Sequence, residues 1–255
     1  MPVDSEMKPM PASGPPWTWA QERGGLLTQS VPGGCGRWFD VAAASIGLLV
    51  LWPVLALVAL TILILDGRPV FFRQERAGLH GRTFRIWKFR SMRGRGSGAV
   101  DLLITAAGDT RVTSLGRWLR AFKVDELPQL LNVLVGDMSI VGPRPEVWRY
   151  VNLEERIWRT VLSVRPGITD VATLAFVDEE DTLARHPDPE LCYRDTVLPA
   201  KLALNFRYLK RRTRRTDIRL ILLTLRRILR LGKPAHGWIE GLLGAGADTS
   251  GRESA

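Results

Sequence analysis

The chain has 255 residues, 45% of them hydrophobic, enough to bury a core as one domain with appendages. Two cysteines, Cys35 and Cys192, form no CxxC pair, and there are only three histidines, which argues against a disulfide framework or structural zinc site and fits a reducing compartment. The net charge of +10 is concentrated: residues 201–233 hold twelve Lys or Arg against one acid, Asp217, so this segment carries +11 and the remainder is close to −1.

Residues 1–36 are rich in Pro, Gly and Ser and lack a basic stretch followed by an apolar core, so they read as a disordered tail rather than a signal peptide. An uncharged run follows at 41–65, with Arg37 and Asp40 before it and Asp66-Gly67-Arg68-Pro69 after it. As a straight helix its residues would reach about 37 Å, enough to cross a bilayer's hydrocarbon core. Pro53 lies at its middle, where a kink or break is expected. Hydropathy alone leaves two forms open, a spanning helix with a tolerated proline and two arms that enter one leaflet and return.

Past Pro69, Val70-Phe71-Phe72-Arg73-Gln74-Glu75-Arg76 and Thr83-Phe84-Arg85-Ile86-Trp87-Lys88-Phe89-Arg90 are aromatic and β-branched, with Gly78 and Gly81 between them. This predicts a β-hairpin with Phe84, Ile86 or Trp87 against the body. Residues 94–98 read as a loop. After Asp109-Thr110, the residues Val112, Leu115, Leu119 and Phe122 share one helical face, with Arg117, Arg120 and Lys123 off it. Such a helix suits either a core or a membrane interface.

Next comes Asp125-Glu126-Leu127-Pro128-Gln129-Leu130-Leu131-Asn132, followed by Val141-Gly142-Pro143-Arg144-Pro145. Proline is tolerated only in a helix's first turn, so Asp125 and Glu126 sit at or just before a helix start. Its positive dipole end favours ionised carboxylates. Capping preference alone would make the pair a helix cap.

The whole string resembles the signature of the bacterial sugar transferases, the monotopic phosphoglycosyl transferases. Lys88 and Arg90 in Lys88-Phe89-Arg90-Ser91-Met92, together with Arg120, Arg144 and Val164-Arg165-Pro166-Gly167-Ile168-Thr169, match further family motifs. The resemblance implies transfer of a sugar-1-phosphate from a nucleotide sugar, expected to be a UDP-sugar, to a polyprenyl (undecaprenyl) phosphate, with release of UMP. It assigns Asp125 as the nucleophile that forms an aspartyl-phosphosugar, Glu126 as the acid associated with Mg²⁺, and Lys88, Arg90, Arg120 and Arg144 as binders of substrate phosphates. It also favours the re-entrant helix, broken at Pro53, with both ends at the cytoplasmic face of a bacterial inner membrane. Trp52 stands where members carry a small hydroxyl residue before that proline. Where many members continue with glycine and aromatics, this chain has Asp170-Val171-Ala172-Thr173 and then the acidic run Asp178-Glu179-Glu180-Asp181, which by itself reads as a solvated loop.

Apolar stripes in 201–233, at Phe206, Leu209, Ile218, Ile221, Leu222, Leu225, Ile228 and Leu229, alternate with Lys210, Arg211, Arg212, Arg214 and Arg215. Helices lying against anionic membrane lipid and helices packed on the domain both fit this pattern. The expected architecture is mostly α with a small β-hairpin (α+β): a tail at 1–36, a re-entrant membrane helix at 37–66, a cytoplasmic catalytic domain at 67–200, basic amphipathic membrane-surface helices at 201–233 and a disordered tail at 234–255. A nucleic-acid-binding protein is the main alternative for so basic a segment, but the apolar run and the missing nucleic-acid motif speak against nucleic acid. A non-catalytic membrane scaffold is the other, opposed by the intact Asp125, Glu126 and Arg144. A homodimer stays open.

Overall fold

The computed structural model describes residues 33–93 and 105–229. Apart from 33–36, the tails expected at 1–36 and 234–255 lie outside the described residues, as do the 94–98 loop and the end of the basic segment.

The apolar run forms one helix, α1 (Arg37–Leu65), of 29 residues. Pro53 lies inside it, so the expected break does not divide the element. The ring removes a single donor, the one that would meet the Leu49 carbonyl, and the apolar turns on either side carry the helix past it. Among the described residues it is the one helix long and apolar enough to cross a membrane by length and composition.

Two places along α1 pack against the body. Ala44 joins Phe84, Ile86, Leu130, Val133 and Met138 in one apolar cluster, and Val58 and Ile62 join Phe89 and Leu119 in another. Ile46, Leu49, Val50, Trp52, Leu57, Leu60 and Ile64 remain exposed. Both ends of the helix are fastened. Arg37 donates to the Val133 carbonyl and, at 2.7 Å, to that of Leu134. Buried Asp40 accepts from Ser139 Oγ and the Ile140 N–H, each at 2.9 Å. At the far end, Thr113 Oγ1 donates to Asp66 at 3.0 Å, and the Arg90 guanidinium donates to the backbone carbonyls of Asp66, Gly67 and Arg68.

The expected hairpin is present. Strands β1 (Phe71–Ala77) and β2 (Thr83–Phe89) pair antiparallel, Phe71 opposite Phe89 and Ala77 opposite Thr83. Phe84 and Ile86 are buried by alternation. Helix α2 (Ser114–Ala121) starts later than the Asp109-Thr110 pair suggests. Thr113 caps it by accepting from the Gly116 N–H at 2.9 Å, while Asp109 binds Arg111 instead.

A single 3₁₀ turn, Val124–Glu126, leads into α3 (Gln129–Val135), which Gly136 ends at φ 96°. A second, parallel pair joins β3 (Ser139–Val141) to β4 (Gly167–Thr169). Between them lies α4 (Arg156–Val161). After β4 come α5 (Val171–Ala175), α6 (Glu179–Ala184) and α7 (Pro189–Cys192), then a π-helical turn Tyr193–Val197 running into α8 (Leu198–Lys210), and last α9 (Arg214–Ile228). The described residues thus form a mostly helical α+β fold with two two-stranded sheets.

The largest core gathers Val141, Trp158, Val161, Val171, Tyr193, Leu202, Tyr208, Leu209 and Leu220. It therefore includes residues from the segment expected at the membrane surface: α8 buries Leu202, Tyr208 and Leu209. Among the described residues of that segment, the outer face of α9 keeps an apolar stripe in the open, formed by Ile218, Leu222, Leu225 and Leu229. Buried Asp217, accepting from Tyr208, Arg212 and the Cys35 N–H, ties α9 to the approach to α1.

Candidate active site

Strand alternation sets the first wall. Lys88 follows Phe84 and Ile86 at every second position of β2, so its side chain continues their inward face. Its Nζ lies 3.0 Å from Glu126 Oε1. Pro128 fixes the second wall, since it cannot continue a helix upstream and the chain enters α3 through the short turn that holds Asp125 and Glu126. Both carboxylates are buried, 4% and 8% exposed.

Arg144 forms the third wall. Its Nη1 donates to Glu126 Oε2 at 3.1 Å and its Nη2 to Oε1, a two-pronged pair. Pro143 and Pro145 restrict the backbone on both sides, and the Arg144 N–H donates to Asp170 Oδ2 at 3.2 Å. The neighbouring glycines are required by contact. A Cβ on Gly167 would lie 2.1 Å from the Gly142 nitrogen, and one on Gly142 would lie 2.4 Å from the Arg165 carbonyl oxygen. Only two bare backbones can pass this closely, and their approach sets the start of β4 against Gly142-Pro143, where the Gly167 N–H donates to the Pro143 carbonyl at 2.9 Å.

These contacts push the two adjacent acids apart. Burial opposes the charge on Glu126, but Arg144 and Lys88 outweigh it and hold that carboxyl well below the usual range. Asp125 is pushed up, first by burial and then by the Glu126 charge, against Lys88, Lys123 and Arg120. The expectation that the helix start favours both carboxylates therefore needs correction. Glu126 is kept charged by side-chain cations, and Asp125 is raised. Its Oδ1 is buried with no hydrogen-bond partner, whereas all described contacts of Lys88 and Arg144 with the pair go to Glu126. Burial lowers the Lys88 ammonium against the pull of Glu126.

The remaining expected site residues lie further out. Arg120, in the last turn of α2, pairs with Glu180 and has Nη1 3.9 Å from Met92 Sδ, while its charge still bears on Asp125. Arg90 is not brought to the carboxylates. Its donors go to the carbonyls of Asp66, Gly67 and Arg68, just past the end of α1. The acidic run is not a free loop: Glu179 binds Lys201 at 2.8 Å and Glu180 binds Arg120. Among the described residues no group of three His, Cys, Asp or Glu could hold a metal ion.

Sequence reasoning missed two neighbours. Asp170 caps α5, accepting from the Thr173 N–H at 2.7 Å while also holding Arg144 and Asn205. An Asp just before a short apolar helix is a readable cap signal, but its link to Arg144 is not readable from local pattern. Lys123 precedes the carboxylate turn in a left-handed backbone conformation, φ 56°, and no sequence signal marks a lysine for that.

A charged, buried site set against a helix of membrane length defines a membrane-associated α+β protein. Residues 33–231 match the family described as bacterial sugar transferase, and the chain belongs to that family. It is similar to the UDP-glucose:undecaprenyl-phosphate glucose-1-phosphate transferase of Xanthomonas campestris pv. campestris, 37% identical over 193 residues, 74% of this chain and 38% of that one. A protein of the same description from Escherichia coli (strain K12) is 40% identical over 152 residues, 57% and 32% of the two chains. The UDP-N-acetylgalactosamine-undecaprenyl-phosphate N-acetylgalactosaminephosphotransferase of Aeromonas hydrophila is 34% identical over 214 residues, 81% and 46%. The chain spans less than half the length of each of these three relatives.

Proposed function

We propose that this chain transfers a sugar-1-phosphate from a UDP-sugar to undecaprenyl phosphate through a covalent intermediate on Asp125. The observation that carries the reading is the split between the two acids: Glu126 is saturated by cations, and Asp125 keeps an unpartnered oxygen. In the first step an Asp125 carboxylate oxygen bonds to the β-phosphorus. The bond from that phosphorus to the bridging oxygen breaks, and its electron pair leaves with UMP. In the second step an oxygen of undecaprenyl phosphate attacks the same phosphorus and returns the carboxylate. Two displacements let donor and acceptor, both bulky anions, use one site in turn. The named relatives act on different sugars, so the sugar stays undefined.

The unpartnered Asp125 oxygen fits Mg²⁺, which is commonly held by one or two carboxylates plus substrate phosphates, and Glu126 would join it by giving up a bond from Lys88 or Arg144. Bound there, Mg²⁺ would offset the charge of the diphosphate and of the departing nucleotide. Arg144 orients Glu126 and offers a planar guanidinium to phosphate oxygens. Lys88 holds Glu126 from the other side. Arg120 would reach the donor by exchanging Glu180 for phosphate.

The reading also places both ends of α1 on the cytoplasmic side. A straight helix of this length would measure about 43 Å, and a spanning helix would carry its ends to opposite faces of a hydrocarbon core about 30 Å thick. Here Arg37 and Asp40 at one end, and Asp66 at the other, are bonded to the same body. That supports an α1 whose exposed apolar middle dips into one leaflet near Pro53. The open stripe of α9, with its arginines, would rest on anionic lipid.

With Mg²⁺, a UDP-sugar and undecaprenyl phosphate, membranes containing the protein are expected to release UMP, and Asp125→Asn membranes to release none. Undiminished release by Asp125→Asn would refute the nucleophile. Labelling of cysteines introduced before Arg37 only from outside the cell would refute the topology.

A further inference from the structure

The cations around the carboxylate pair are largely engaged. Lys88 and Arg144 bond Glu126, Arg120 bonds Glu180 and Arg90 bonds carbonyls. With Asp125 and Glu126 both ionised, Lys88 and Arg144 bring this inner group only to neutrality. A diphosphate entering it, with Mg²⁺ or without, gains from a positive charge that is not already matched.

Lys123 supplies one. Its side chain is exposed and has no hydrogen-bond or ion-pair partner among the described residues. It stands directly before the carboxylate turn, its N–H bonded to the Arg120 carbonyl at 3.1 Å and its carbonyl accepting from the Glu126 N–H at 3.2 Å. Its backbone, at φ 56° and ψ 21°, occupies the left-handed region that suits Gly or Asn and is strained for a lysine. A lysine held at some conformational cost beside two buried acids, with no partner among the described residues, points to a ligand. Its charge also favours the ionised forms of both Asp125 and Glu126.

We propose that Lys123 is a further phosphate-binding residue of this site, its ammonium meeting phosphate oxygens of the nucleotide-sugar donor or of the lipid phosphate acceptor. The inference rests on the transfer reaction proposed above. The two sources share one chemistry, an exposed phosphate oxyanion, and separate kinetic measurements distinguish them.

The test compares Lys123→Asn and Lys123→Arg in the full chain. Lys123→Asn removes the charge and suits the left-handed backbone, so its thermal midpoint should hold or rise. Its KM for one of the two substrates should increase about tenfold, the loss of one charge-assisted hydrogen bond. The substrate affected identifies the source. Lys123→Arg should keep that KM within about twofold, since the charge is restored. A structural role would give the reverse, a lower midpoint in Lys123→Asn with both KM values unchanged, and that result overturns the proposal. So do unchanged KM values accompanied only by weaker adsorption to anionic vesicles, which would assign Lys123 to the membrane surface. Calorimetric titration with UDP and with a short polyprenyl phosphate reads the same contact without turnover. If the wild type releases no UMP from any nucleotide sugar, the transfer reading fails, and these titrations still decide the role of Lys123: weaker binding in Lys123→Asn supports it and equal binding overturns it.

Discussion

Replacing Arg144 with alanine tests the electrostatic core of the site. The change removes two of the three side-chain hydrogen bonds that reach Glu126 and leaves that of Lys88 at 3.0 Å. The Glu126 side chain is 9% exposed and that of Arg144 29%, so water replaces the lost donors only in part. Removing one partner of a buried ion pair costs about 3–5 kcal/mol. The lower end, about 3 kcal/mol, applies here because Lys88 remains and Arg144 is partly wet. For a body of this size each kcal/mol corresponds to about 2–4 °C, which gives a fall in midpoint of about 6–12 °C. The effect depends on pH with a defined sign. Against burial, Arg144 and Lys88 depress the Glu126 carboxyl. A depressed carboxyl contributes stability that is present above its unfolded pKa, about 4.3, and is lost as pH falls through the folded value. The gap between wild type and Arg144→Ala should be widest near neutrality and narrow below about pH 4. Thermal unfolding in nanodiscs across this range measures it. A midpoint within about 2 °C of wild type at neutral pH, or a gap that widens on acidification, would refute the reasoning.

Asp125→Asn should abolish UMP release without lowering the thermal midpoint, because burial and the Glu126 charge already disfavour an ionised carboxyl there; a midpoint several degrees lower would contradict this. In the metal-free wild type the Asp125 carboxyl should titrate above the ordinary carboxylate range, read by carboxyl NMR, because burial and then the Glu126 charge raise it. Glu126→Gln removes a negative neighbour and frees Lys88 and Arg144, so that titration should move to lower pH, and a move to higher pH would count against the pairing. Gly167→Ala places a methyl 2.1 Å from the Gly142 nitrogen and should cost about 1–3 kcal/mol by forcing β4 away from β3; wild-type stability in urea unfolding would show that the two backbones need not approach so closely.

What could be read from the sequence follows from the range of each cause. The hairpin depends on alternation and glycines within twenty residues, and Phe84 and Ile86 sit as that pattern requires. The start of α3 depends on Pro128, a local constraint that places Asp125 and Glu126 in the turn before it. Contacts across long separations were not legible. Lys88 and Arg90 lie two residues apart in one motif, yet Lys88 meets Glu126 and Arg90 bonds the carbonyls past the end of α1, because β2 ends at Phe89 and its alternation no longer places Arg90. Composition marked 201–233 as a basic surface, but Tyr208 and Leu209 are fully buried in the main core. A basic amphipathic helix has the same pattern whether its apolar side meets lipid or protein. In the sequence Lys123 is one more cation off a helical face, because backbone handedness at a single non-glycine residue leaves no compositional trace.

In the proposed reaction Asp125 carries the phosphosugar. Incubating the protein with Mg²⁺ and a UDP-sugar labelled at the β-phosphorus, in the absence of undecaprenyl phosphate, followed by acid quenching and peptide mapping, tests it directly. Label is expected on the peptide containing Asp125, lost on addition of undecaprenyl phosphate and absent from Asp125→Asn. UMP release with no labelled peptide, or with the label on another residue, would contradict it.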